Sequence, residues 1–192
     1  IDILFDQKTE HRKDAILKNT INQVGFPTIV AWANQSDNLT NAQTKFLNSY
    51  TDEIGKGHVK LGRDRADGLI RWIDKGTNVN GKEIKSFPHA LASVVKNNLE
   101  FKSQYLKYSF GPKVGTSPFK SYEAQFVRHI PSEWLSGKII LIGADLPHND
   151  RHHTPLGRFS GDQPSMMAGV EIHAHALSQL LSGVTFERYN IY

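Results

Sequence analysis

Apolar positions along the chain fall into short blocks, some continuous and some spaced for one face of a helix. Ile1, Ile3, Leu4 and Phe5 make the first block and Asp6 closes it, which reads as a buried strand. Thr9 is placed to cap a helix running to about Val24, with Leu17, Ile21 and Val24 at i, i+4 and i+7 on one face. Gly25 stops that helix, and residues 28–33 return as a second strand. A strand, a helix and a strand in this order predict a right-handed, parallel β-α-β unit.

The middle of the chain is more polar. Residues 34–52 are rich in Asn and predict a short amphipathic surface helix on Phe46, Leu47 and Tyr50. Residues 58–61 and 69–73 flank an acidic turn ending in Asp67-Gly68, which predicts a hairpin with its tip at that dipeptide. Residues 77–82 read as a loop. Ser86 is placed to cap a helix whose Phe87, Leu91, Val94 and Val95 face the core. A strand around residues 105–110, a Gly/Pro/Ser linker over 111–118 and a short helical stretch over 122–134 follow. Ile139, Ile140, Leu141 and Ile142 then run without alternation, as in a strand covered on both faces at the centre of a parallel sheet. A polar loop of about two dozen residues succeeds it, at the strand end where open α/β sheets bind ligands. A last helix begins near Gly169. The fold class expected is α/β, a single domain over residues 1–192 with a mixed, largely parallel central sheet flanked by helices.

Composition narrows the function. Lys and Arg number 23 against 19 Asp and Glu, and they are dispersed. A nucleic-acid surface needs clustered cations, so no nucleic-acid partner is expected. The absence of cysteine removes disulfides, thiolate ligands and a cysteine nucleophile, and suits an extracytoplasmic compartment. No apolar run is long enough to span a bilayer. The chain opens without Met on a run that reads as a core strand, which predicts a piece of a longer protein.

Five of the nine histidines lie between His148 and His175, beside Asp145, Asp150 and Glu171. Such donors suit zinc, manganese or iron, so a periplasmic or secreted metal-dependent hydrolase using the loop from His148 to His153 is one reading. On a helical wheel, however, Val170, His173, Ala174, Leu177 and Leu181 share the apolar face, whereas Glu171, His175, Ser178 and Ser182 share the polar one. His173 and His175 therefore cannot ligate one ion on an unbroken helix, and Glu171 pairs more naturally with His175 at i, i+4. The loop also lacks a spacing such as His-Glu-x-x-His. No metal and no cofactor are expected. Ser160-Gly161 lacks the strand-to-helix context of a nucleophile elbow, and Gly143-Ala144-Asp145 lacks the glycines of a dinucleotide fingerprint.

Several blocks nonetheless occur together in a known order. They are Ile1 to Asp6, Asp67-Gly68-Leu69-Ile70-Arg71, Ser86-Phe87 with Ala90, Gly137 to Gly143, Asp150 with Thr154-Pro155, and Gly169-Val170-Glu171-Ile172-His173-Ala174. Over nearly all its length the chain resembles the second type of CHASE domain. The resemblance implies a non-catalytic, extracytoplasmic (periplasmic) sensory domain of bacterial transmembrane receptors such as adenylate cyclases and histidine kinases. It implies as partners the receptor's own membrane helices and cytoplasmic output domain, an unidentified small-molecule or protein stimulus, and a second copy in a homodimer. The family usually has a further strand and helix before the first block, absent here together with the flanking membrane helices. It supplies no catalytic residues. From the residues themselves, Asp6, Arg71, Asp145, Asp150, Thr154, Glu171 and His173 are the candidate ligand-binding set, expected to converge near the strand ends. Each also has a structural reading: Arg71 bridging a buried carboxylate, Thr154-Pro155 fixing a turn, Glu171 capping a helix. A pure protein-interaction scaffold is the third functional reading.

Overall fold

The structure, a computed structural model, describes residues 1–97, 99, 102–159 and 166–186. Helix α1 spans His11–Gln23. Thr9 stands at its entrance, but its N–H and hydroxyl donate to Asp14 and so cap no helix amide. Ile21 is buried against Val30 and Ile54, while Leu17 stays exposed, so the helix uses a narrower face than its spacing predicts. Strand β1 is Ile29–Trp32. Ile1 sits beside it: its amino group donates to the Ile29 carbonyl at 2.6 Å and its carbonyl accepts from Ala31 at 2.8 Å, the pattern of parallel neighbours.

Helix α2, Asn41–Tyr50, starts at a Thr40–Gln43 capping box that satisfies backbone donors at both positions. It buries Leu47 and Tyr50, so the Asn-rich stretch contributes to the core as well as to the surface. Strand β2, Gly55–His58, pairs parallel with β1, Ile29 opposite Gly55 and Trp32 opposite His58. The predicted hairpin forms between β3 (Gly62–Arg63) and β4 (Ile70–Ile73), with Gly68 in the left-handed region at its tip. Its first arm starts later than the sequence implied, because His58 belongs to β2. The predicted loop at 77–82 is also a hairpin, β5 (Gly76–Val79) with β6 (Lys82–Lys85). Asn80 and Gly81 both take positive φ, the requirement of a tight primed turn.

Helix α3, Phe87–Val95, follows Ser86, whose hydroxyl is 2.7 Å from His89 Nδ1. It buries Phe87, Ala90 and Ala92 but leaves Val94 and Val95 exposed. Strand β7 is Gln104–Tyr105 and pairs with β4; helix α4 is a single turn, Ser132–Leu135. In the loop predicted to be irregular, β8 (Arg151–His153) and β9 (Met166–Ala168) pair antiparallel, with residues 160–165 between them outside the described set. Ser160 and Gly161 fall there. Helix α5, Gly169–Ser182, closes on Gly183 at φ 74°.

The architecture is thus mixed α/β, built of four small sheets among the described residues, and regular parallel pairing is confined to β1–β2. Single parallel bridges join Asp2 to Gly143 and His58 to Ser86. The expectation of a central strand at 138–144 needs correction: Ile139, Ile140 and Ile142 are 40 %, 54 % and 50 % exposed. Only Leu141 packs onto the core. Non-alternating hydrophobicity signals two covered faces only when layers exist on both sides, and here, among the described residues, the segment meets the body through Leu141 and a parallel bridge of Gly143 with Asp2, whose N–H donates to the Ile142 carbonyl.

The main core lies between α3, α5 and β4, where Ile70, Ile73, Ala92, Leu106, Ile172, Ala176, Leu177 and Leu180 are buried together. α3 also lies close on β2, where a Cβ at Gly57 would collide with the Phe87 backbone. Gln179 of α5 serves β7 as a substitute strand edge. Its amide donates to the Tyr105 carbonyl (2.8 Å) and Gln104 Oε1 (3.1 Å) and accepts from Lys107 N–H (2.8 Å).

Candidate functional site

Three pieces of chain meet at the amino end of α5. The first is Asp2, interrupting an apolar run, with a side chain 9 % exposed. The second is the Ile142-Gly143 step beside it. The third is the Asp150 to His152 corner, where Asp150 takes φ 52° and its carbonyl accepts from Gly169 N–H at 3.1 Å. Glycine makes the approach possible twice. A Cβ at Gly143 would strike Val170 and press on Asp2, and one at Gly169 would strike the Asp150 carboxylate. That carboxylate therefore sits on the first turn of α5, where helix N–H groups favour negative charge and where the N-cap, Ala168, offers no side-chain acceptor.

Asp150 Oδ1 is 2.8 Å from His152 Nε2, and the other ring nitrogen of His152 is 3.5 Å from the Arg63 guanidinium. His173, buried in the first turns of α5, has Nε2 3.9 Å from Asp2 Oδ1 and meets the Phe87 ring edge-on. Burial pushes the Asp2 carboxyl up to about 6, and the charge of Asp150 pushes the same way. Burial pulls His173 down to about 4, against the opposite pull of Asp150. The group is thus two carboxylates and a neutral histidine, with His152 on the rim.

Of the expected residues, Asp150 and His173 enter this cluster. The others lie elsewhere. Asp6 accepts from Gln43 Nε2 of α2 at 2.6 Å. Arg71 holds the hairpin turn through Asp67 at 2.6 Å and reaches the Tyr105 hydroxyl at 3.2 Å; its structural reading holds for the bridge to a carboxylate but not for burial, since Asp67 is exposed. Asp145 pairs with Arg151, which ties the loop to β8. Thr154 is buried and its carbonyl accepts from Gly157 N–H, as a turn residue does. Glu171 lies in the first turn of α5. Asp2 and His152 were not in the expected set. The lone acid inside Ile1-Asp2-Ile3-Leu4-Phe5 was the readable sign, since a carboxylate within an apolar strand needs a reason.

The family model of the CHASE2 domain matches residues 1–191. The chain belongs to the CHASE2 domain family. CHASE2 domains are extracytoplasmic sensory domains of receptors and a non-catalytic family. Comparison with curated proteins and with solved structures gives no match.

Within this CHASE2 domain, no helix among the described residues is long and apolar enough to cross a membrane. The hydrolase reading finds no ligand set: among the described residues no three His, Asp or Glu side chains are placed to share a metal ion. His173 and His175 diverge as their helical positions require, but both are buried. His175, expected on the polar face beside Glu171, is instead held between the rings of Tyr108 and Phe119, and its Nε2 has no hydrogen-bond partner among the described residues. Burial pulls it down to about 4. α5 of the CHASE2 domain is covered on more sides than a two-faced wheel allows.

Proposed function

We propose that this CHASE2 domain is the signal-input part of a bacterial transmembrane receptor, acting through membrane helices on a cytoplasmic nucleotide cyclase or a histidine or protein kinase. Family membership over residues 1–191 carries the reading. The amino-end cluster of α5 supports it, because Asp2, Gly143, Asp150 and Gly169 couple chain segments far apart in sequence at one point. A stimulus that favours one arrangement of these segments shifts the balance between two receptor states by its differential affinity for them. The stimulus site is the surface around Asp150 and His152, with the buried His173 beneath it, and two copies act together in the receptor.

The test is made in the whole receptor, with cyclase or kinase output as the readout. Gly169→Ala forces the Asp150 carboxylate off α5 and is expected to lock output high or low, while the distant, exposed Val114→Ser leaves it unchanged. Equal output from both variants and the parent, with the receptor folded and inserted, would sink the reading.

A further inference from the structure

Exposed aromatic side chains gather in one part of the chain. Of the four aromatic residues among the exposed large hydrophobics, Tyr122, Phe126 and Trp134 lie within thirteen residues, and Phe26 lies elsewhere, among the described residues. Val127 joins the three, and all four side chains are 45–56 % exposed. The stretch that carries them is folded back on itself. Lys120 Nζ lies over the Trp134 ring, 5.6 Å from its centroid. Between these two the chain advances by successive turns, Phe126 N–H to the Glu123 carbonyl at 2.9 Å, Ile130 N–H to the Val127 carbonyl at 3.2 Å and Trp134 N–H to the Pro131 carbonyl at 3.0 Å. Phe119 anchors the entrance, its ring 4.9 Å from that of His175 in α5. The loop is thus tied to the body at Phe119 and presents its other rings to solvent.

Charge says what this surface fits. Over residues 111–140 Lys113, Lys120, Arg128 and Lys138 stand against Glu123 and Glu133, four cations to two acids. None of the four cations makes an ion pair among the described residues, whereas Glu123 already accepts from Gln125 Nε2 at 2.7 Å. A second copy is a poor occupant, because a twofold contact would set one net positive surface against another. A nucleic acid asks for more closely clustered cations and makes no use of an exposed Val127. Rings interleaved with cations match the boundary of an anionic bilayer, where Trp and Tyr settle at headgroup level, apolar tips enter the acyl boundary and Lys and Arg meet phosphate. We infer that residues 119–138 form a peripheral membrane-contact surface for anionic phospholipid. Tyr122, Phe126, Val127 and Trp134 enter the interface, and Lys120, Arg128 and Lys138 meet the headgroups. Lys120 stacked on Trp134 delivers a cation and a ring to the same place. The inference rests on this surface alone and does not depend on the sensory reading.

The 192-residue chain is mixed with vesicles of phosphatidylcholine alone, or of phosphatidylcholine with phosphatidylglycerol. Sedimentation gives the bound fraction and tryptophan emission reports entry into the interface. Trp32 is buried and Trp72 half-buried, so a change of surroundings on binding is read chiefly from Trp134. The bound fraction is expected to be several-fold higher on the phosphatidylglycerol vesicles, to fall as salt screens the cations, and to come with a blue shift of emission. Trp134→Ser and Phe126→Ser each lower binding several-fold, while Phe26→Ser, which removes an exposed ring outside the segment, leaves it unchanged. Trp134→Phe keeps binding and loses the blue shift. Absence of binding overturns the inference, as do equal binding to both kinds of vesicle and an equal loss from Phe26→Ser. A dimer seen by light scattering without vesicles, and dissolved by Trp134→Ser, would give the surface to a second copy and overturn it too. If the serine variants do not fold, Lys120→Gln and the salt series on the parent chain decide. Receptor output plays no part in these readouts, so a failed membrane contact is distinguished from a failed sensory reading.

Discussion

Helix α5 and the segment 111–150 contain comparable apolar residues and come to opposite ends. In α5, eight residues are buried, Ile172, Ala176, Leu177 and Leu180 among them. Between residues 111 and 150 none is buried, and Phe126, Trp134, Ile140 and Ile142 are at least half exposed. Hydrophobicity is the same currency in both. The difference is partners: α5 is a continuous element of fourteen residues that meets α3, β4 and β7, whereas 111–150 consists of turns and irregular chain, one six-residue 3-10 helix and a one-turn α-helix. Burial needs an element long enough to present a face and a second face to receive it.

If that contrast is right, truncations should divide sharply. Ile172→Ala is expected to cost ~2–5 kcal/mol in urea unfolding, the usual range for a buried aliphatic truncation, and Ile140→Ala under ~0.5 kcal/mol. Equal losses would mean that the segment is packed after all. Acid should act next most strongly, chiefly through the two buried histidines of α5. His173 and His175 bind protons near 6.5 when unfolded and only near 4 when folded, so the unfolded chain takes up more protons between those values. Their contribution is full above pH 6.5 and lost as pH falls toward 4, on the order of 3 kcal/mol each. Asp2, raised from its ordinary value, works in the opposite sense and gains as pH falls through about 6. His175→Phe, keeping the ring contacts and removing a nitrogen without a partner, should hold stability at pH 7 and flatten the melting-temperature profile between pH 6.5 and 4. An unchanged profile would place that dependence elsewhere. Gly57→Ala tests the close approach of α3 to β2 and should cost ~1–3 kcal/mol, since the Cβ meets Phe87 backbone that cannot turn aside. The smallest effect belongs to Asn80→Ala in the β5–β6 turn, ~1 kcal/mol for a positive φ without Asn, read by the same urea titration.

Much of the order of elements was legible because it rests on local rules. The helices at 11–23, 41–50, 87–95 and 169–182 follow apolar spacing and stop residues, and the β3–β4 hairpin follows Asp67-Gly68. Asn80-Gly81 is an equally strong turn signal, but the flanking Gly76–Val79 and Lys82–Lys85 are too polar to announce strands. The run Ile139 to Ile142 misled for the complementary reason: sequence records appetite for burial, not the presence of a cover. The site was half legible. Asp150 and His173 stood out by residue type and position, but nothing local says that residue 2 lies beside residue 143 or that Gly169 admits the Asp150 carboxylate. Arg71, Asp6 and Asp145 looked equally suited to a site and found partners nearer home.

Gln179 has a further consequence for the order in which the chain assembles. Its three hydrogen bonds to the β7 neighbourhood close 72 to 75 residues of chain, whereas the β3–β4 and β5–β6 turns close only a few. Contacts of such long sequence separation bear the larger loop-closure entropy and are made after the local ones. Gln179→Ala should therefore leave the refolding rate nearly unchanged and appear almost wholly as faster unfolding, making this one amide a determinant of how long the folded chain lasts.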